Sequence, residues 1–149
     1  MKGRMDVLRR ARDVAIVLSV LWLPACGSES SSVTSPTTVA TLVTETFSGS
    51  IEQNGSSVYA FTVTTSSYSL LAGFTSLSSS VSALGLGIGS WDSSTSTCGL
   101  NVSQNDTARS GNTSLSGTSN SGSYCLRVYD GGNIPTGGTA SYTVQVQHY

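Results

Sequence analysis

The chain has 149 residues and a nearly balanced charge, seven Lys and Arg against eight Asp and Glu. The balance is unevenly placed: Lys2, Arg4, Arg9, Arg10 and Arg12 come first, and beyond Cys26 the cations are Arg109 and Arg127, against Glu29, Glu45, Glu52, Asp92, Asp106 and Asp130. Such a mildly acidic body has no basic patch with which to neutralise phosphates, so nucleic acid is not an expected partner.

Residues 1–13, MKGRMDVLRRARD, are basic, and residues 14–23, VAIVLSVLWL, are apolar apart from Ser19. An apolar run of about ten residues is too short to cross a ~30 Å hydrocarbon core as a helix, and the order basic, apolar, small is that of a secretory signal. The sequence that follows, Leu23-Pro24-Ala25-Cys26, resembles a bacterial lipobox. The resemblance implies lipid transfer to the Cys26 sulfur, cleavage before it, and acylation of the new N-terminus with chains such as palmitate. Cysteine suits this step because its thiolate is the strongest nucleophile available, and two or more acyl chains anchor stably where one does not. Gly27 and Ser28 stand where an inner-membrane retention Asp would lie in enteric bacteria, so the outer membrane is expected where the host has one.

Residues 27–44, GSESSSVTSPTTVATLVT, are polar and nearly uncharged. Such a segment buries too little apolar surface to offset its conformational entropy, so 26–44 reads as a linker from the lipidated cysteine. Beyond Cys26 roughly four residues in ten are Ser or Thr, a bias toward strands and turns over helix interiors.

From Glu45 onward the apolar period is two. Tyr59, Phe61 and Val63 share one face of SVYAFTVTT; Tyr124, Leu126 and Val128 share one face of SYCLRVYD; Tyr142, Val144 and Val146 share one face of SYTVQVQHY. YSLLAGFTSLS and SALGLGIGSW read as more central strands, and TFSGSI and NTSLSGTS complete a set of seven or eight. Turn signals recur in QNGSS, DGGN and PTGG, where Gly or Asn accepts positive φ. The expectation is a single all-β domain over 45–149, a β-sandwich whose aromatic core is Phe47, Tyr59, Phe61, Phe74, Tyr124 and Tyr142.

FSGSIEQNGSSVYAFTV, GSYCLRVYDGGN and the closing ASYTVQVQHY resemble the bacterial pre-peptidase C-terminal domain. The shared features are an aromatic-x-Gly strand, a Tyr-x-Phe strand after a polar turn, a Gly-x-Tyr strand running into an acidic turn, and a final Tyr strand. The resemblance implies a jelly-roll-like sandwich that is not catalytic and serves adhesion, folding or secretion. Its partner would be an envelope protein or polysaccharide. No enzyme domain is read within residues 1–149, so adhesion or interaction is the role expected.

With Cys26 assigned to lipid, Cys98 and Cys125 are left to each other in an exported chain. A disulfide between them would contribute about 3–4 kcal/mol by chain entropy and staple the stretch from GLNVSQND to TSNSGS onto the sandwich. Since Cys125 alternates outward, the bridge is expected near the surface; two free thiols or a metal pair is the competing reading.

Other constellations have plain structural explanations beside functional ones. Asp130 to Asn133, DGGN, reads as a turn or as half of a calcium site that Asp92, Asn105 and Asp106 would approach in space. Gly85 to Gly89, GLGIG, lacks nucleotide-loop spacing and reads as a strand with Leu84, Leu86 and Ile88 on one face, leaving a glycine face on which Trp91 or Tyr129 can lie flat. Trp91 and Asp92 with Arg127 and Tyr129 form a candidate sugar-binding set. His148 is the one histidine and no G-x-S-x-G surrounds any serine, so a small hydrolase ranks last. No cofactor beyond the calcium alternative is implied.

Overall fold

The structure, a computed structural model, describes residues 39–149. The signal, the lipobox with Cys26 and most of the linker lie outside the described residues. Those described form eight strands and no helix: β1 Val43–Glu52, β2 Ser56–Val63, β3 Tyr68–Leu77, β4 Leu84–Asp92, β5 Thr97–Ala108, β6 Leu115–Ser119, β7 Gly122–Tyr129 and β8 Thr139–His148. Two four-stranded sheets result, one ordered β1-β8-β3-β6 and the other β2-β7-β4-β5. Every ladder between named strands is antiparallel, and four of them nest: β1 with β8, β2 with β7, β3 with β6, β4 with β5. A chain doubled back at the β4–β5 hairpin and rolled so that nested pairs alternate between sheets is a jelly roll, the architecture expected.

The alternation read from the sequence is what packs the two sheets together. Leu84, Leu86 and Ile88 from β4, Leu126 and Val128 from β7, and Val144 and Val146 from β8 are fully buried between them. Burying each such side chain is worth about 1.5–3 kcal/mol. Phe61, Phe74 and Tyr142 are buried, whereas Phe47, Tyr59 and Tyr124 pack against the core half-buried. The turn signals also hold, with positive φ at Asn54, Gly132 and Gly137.

Three features differ from the sequence reading. Val43 and Thr44, expected at the end of the linker, already pair with His148 and Gln147, so β1 begins before Glu45. The stretch TCGLNVSQNDTA, expected as part of a stapled loop, is strand β5. Its apolar alternation is short, Cys98, Leu100 and Val102 against Thr97, Gly99 and Asn101, and a bulge then shifts the period.

The disulfide is the third. Cys98 and Cys125 are bridged, with Cα atoms 5.7 Å apart, but Cys125 is fully buried, not superficial. The side chain does project to the outer face of its sheet, as the alternation requires. That face is covered: where β4 passes from Ile88 to Ser90, β5 passes from Ser103 to Gly99, and the extra β5 residues fold over β4. A side chain on Gly89 would run into the backbone of Gly99, one on Gly87 into Leu100, and one on Gly85 into the ring of Tyr129. The glycine face thus lets a second thin layer form, with Tyr129 lying flat on it and the disulfide beneath.

Candidate functional site

The six ligand-binding candidates do not converge. Trp91 and Asp92 pair with Cys98 and Thr97 at one end of β4, while Tyr129 pairs with Gly85 at the other. Gly85 and Trp91 are roughly 20 Å apart at the rise of a β-strand. Arg127 lies between them opposite Gly87, its Nη2 donating to Ser56 Oγ at 3.4 Å and its guanidinium 5.6 Å from the Tyr129 ring centroid. A sugar ring cannot touch Trp91 and Tyr129 together, so the structure corrects the expected constellation. The length of β4 keeps its two ends, and the residues paired to them, apart.

The acidic candidates are engaged in holding turns. Asp92 Oδ1 accepts from Ser94 N at 2.9 Å and Ser94 Oγ at 2.6 Å, closing the β4–β5 turn. Those bonds, the Ser94 hydroxyl first, bring its pKa down to about 2. Asp130 Oδ2 accepts from Asn54 N at 2.9 Å, and its Oδ1 accepts from Gly132 N, Asn133 N and Ile134 N at 2.8, 2.9 and 3.2 Å. The Asn54 bond is the largest cause lowering the Asp130 pKa. Both oxygens are therefore wrapped in N–H donors, tying the β1–β2 turn to the β7–β8 loop. Asn133 belongs to this turn through its backbone.

Tyr129 donates to Asp106 Oδ1, and Gln104 Nε2 donates to the same oxygen at 3.0 Å. Burial first, then the Asp106 bond, pushes the Tyr129 pKa up to about 12, while the Tyr129 hydroxyl lowers that of Asp106. Asn105 turns away, its Oδ1 accepting from Thr107 N at 3.0 Å. Among the described residues no three His, Cys, Asp or Glu side chains cluster as metal ligands.

His148 sits in the interior. It is 2% exposed, its ring centroid 5.4 Å from that of Phe61, with Nε2 3.0 Å from Glu45 Oε1. Among the described residues no serine hydroxyl reaches the ring and Nδ1 has no partner. The pair ties the end of β8 to β1 and presents no nucleophile.

The sequence reading missed a groove on the outer face of the β1-β8-β3-β6 sheet. Its volume is about 350 Å³, with Leu71 and Gly73 of β3 as floor, Gln145 and Gln147 of β8 along one side, and Asn112 and Thr113 of the β5–β6 loop as the opposite wall. Gln147 faces Leu71 and Gln145 faces Gly73 across the ladder. The wall exists because β6 stops pairing at Ala72, and the loop then takes over the free edge: Ser114 N donates to Ala72 O and Gly111 N to Phe74 O, each at 2.9 Å. The alternation of VQVQ already points both glutamines outward. What brings a loop beside them is the non-local β3–β6 pairing.

The chain matches no known protein family, and no curated protein matches it.

Proposed function

We propose that this chain is a non-enzymatic bacterial envelope lipoprotein. Acylated Cys26 anchors it, in the outer membrane where the host has two membranes, and residues 26–44 space a pre-peptidase C-terminal-like domain from the bilayer for adhesion or interaction with an envelope protein or polysaccharide. The observation that carries the reading is the order of a basic segment, a short apolar run and Leu23-Pro24-Ala25-Cys26 ahead of a neutral tether. Two features of the domain support it. The carboxylates of Asp92, Asp106 and Asp130 are committed to hydrogen bonds that close turns and brace strands, and His148 is an interior group bound to Glu45. The positions that carry the family resemblance also have structural roles in this sandwich: Phe47 stacks on Tyr59, Gly49 accommodates the Tyr59 and Tyr142 hydroxyls, and Asp130 closes its turn.

Metabolic labelling with an alkynyl fatty acid tests the anchor: the wild type takes up label and partitions with membranes, and Cys26→Ser does neither. Equal labelling of the two removes the lipoprotein reading. Adhesion is tested by retention of the full chain on isolated envelopes, and its failure to exceed an albumin control removes that part.

A further inference from the structure

We propose that the groove between β3, β8 and the β5–β6 loop binds a neutral saccharide, one or two sugar rings of a longer glycan. This deepens the adhesion reading and rests on it. The volume of about 350 Å³ is at the small end of ligand sites, of the size for a short glycan segment and not a folded partner. No lining residue carries a charge, so a phosphate, carboxylate or ammonium group would lose its hydration without a counter-charge. A polyhydroxylated neutral ligand has no such cost.

The donor and acceptor set fits hydroxyls. Gln145 and Gln147 are two positions apart on β8, so their amides project on the same side at a spacing of roughly 7 Å. Each amide offers an acceptor oxygen and two N–H donors, a match for adjacent sugar hydroxyls. Among the described residues neither amide is bonded to protein, although both side chains are half-buried. Asn112 and Thr113 line the opposite wall, and Leu71 supplies an apolar floor for the C–H face of a ring.

The hollow is preformed. Gly73 has no side chain, and a Cβ there would run into the carbonyl oxygen of Asn112, so the loop backbone packs directly on β3 at the foot of the wall. With the loop fixed to β3 by two backbone bonds, little ordering cost falls on binding. A peptide strand fits less well, because the β3 and β8 backbone groups beneath the groove are spent on their own ladder. Without an aromatic platform a single site is weak, with a dissociation constant of about 1 mM, and surface-tethered copies gain by avidity.

The test uses the full chain, exported from a bacterial host and held in a detergent without a sugar headgroup. Retention is measured on cellulose, mannan and β-1,3-glucan, with heparin as charged control, and amide spectra are recorded with the matching tetrasaccharides. At least one neutral glycan should retain the wild type and heparin should not, with the side-chain amides of Gln145 and Gln147 shifting on titration. Gln145→Ala with Gln147→Ala should reduce affinity about tenfold or more at an unchanged melting temperature. Equal retention of wild type and double variant, loss in Trp91→Ala instead, or shifts of these amides by a peptide of residues 27–38 and not by glycan would each overturn the proposal. Retention on envelopes stripped of glycan but on no neutral glycan sinks the groove and leaves adhesion standing; retention on neither sinks both.

Discussion

The hydroxyls of Tyr59 and Tyr142 meet at 2.8 Å, joining β2 of one sheet to β8 of the other, and Gly49 of β1 is the residue that leaves them room. Burial, the main cause, raises the Tyr142 pKa, and the phenol remains a neutral hydrogen-bonding group. A Cβ on Gly49 would stand 2.6 Å from the Tyr59 hydroxyl and 2.8 Å from that of Tyr142. Gly49→Ala is therefore expected to cost about 1–3 kcal/mol in urea unfolding. Tyr59→Phe removes one of the two clashing oxygens, so the double variant should recover about 0.5 kcal/mol or more relative to additivity. Strict additivity would mean that the methyl group is accommodated elsewhere.

The Cys98–Cys125 bridge joins edge strand β5 to β7, crossing behind β4. Replacing both cysteines with alanine should lower stability by about 3–4 kcal/mol, from the freed chain entropy of the unfolded state. Loss of the covering layer should make the outer face of β4 the first region to exchange its amide hydrogens. Uniform exchange across the sheet in the variant would contradict this.

Acid should weaken the fold through its turn carboxylates. Asp92, Asp106 and Asp130 all have lowered pKa values in the folded chain, Asp92 about 2. In the unfolded chain Asp titrates near pH ~4, so the unfolded state binds protons first; the stability these groups lend is complete above that pH and is lost as pH falls through the folded values. The urea midpoint should stay level from neutrality to pH ~5 and fall between pH ~4 and ~2. Asp130→Asn should flatten part of that fall.

Calcium should leave the melting temperature unchanged. Each Asp130 oxygen already faces backbone N–H groups, whose positive ends would oppose a cation. A calcium-dependent rise that disappears in Asp130→Ala would reverse this assignment.

Gly85→Ala should dislodge Tyr129, since a Cβ there would run into its ring. The Tyr129–Asp106 bond would loosen with it. Phenolate absorbance should then show one tyrosine titrating closer to the ordinary value near 10 in place of about 12. An unaltered titration would show that the ring keeps its seat.

Period-two alternation identified β2, β7 and β8 with their inward faces and the inward face of β4, because a sheet side chain can only point up or down and the apolar set had to point in; apolar richness and turn spacing supplied the other strands. Turn chemistry was equally local: Asn54, Gly132 and Gly137 take positive φ where the sequence offers residues that tolerate it. The proposal that Cys26 carries lipid likewise rests on a short contiguous motif.

Long-range pairing decided the remainder. Edge strand β5 alternates only over Cys98, Leu100 and Val102 before its bulge shifts the period, and that bulge, invisible in sequence, buries an outward cysteine. Strand length kept Trp91 away from Tyr129, though both lie near the glycine face. The β3–β6 register ended at Ala72 and so put Asn112 opposite Gln145 and Gln147, from residues more than thirty positions apart. Local sequence determines which way each side chain faces; which side chains share a surface depends on where the non-local ladders begin and stop.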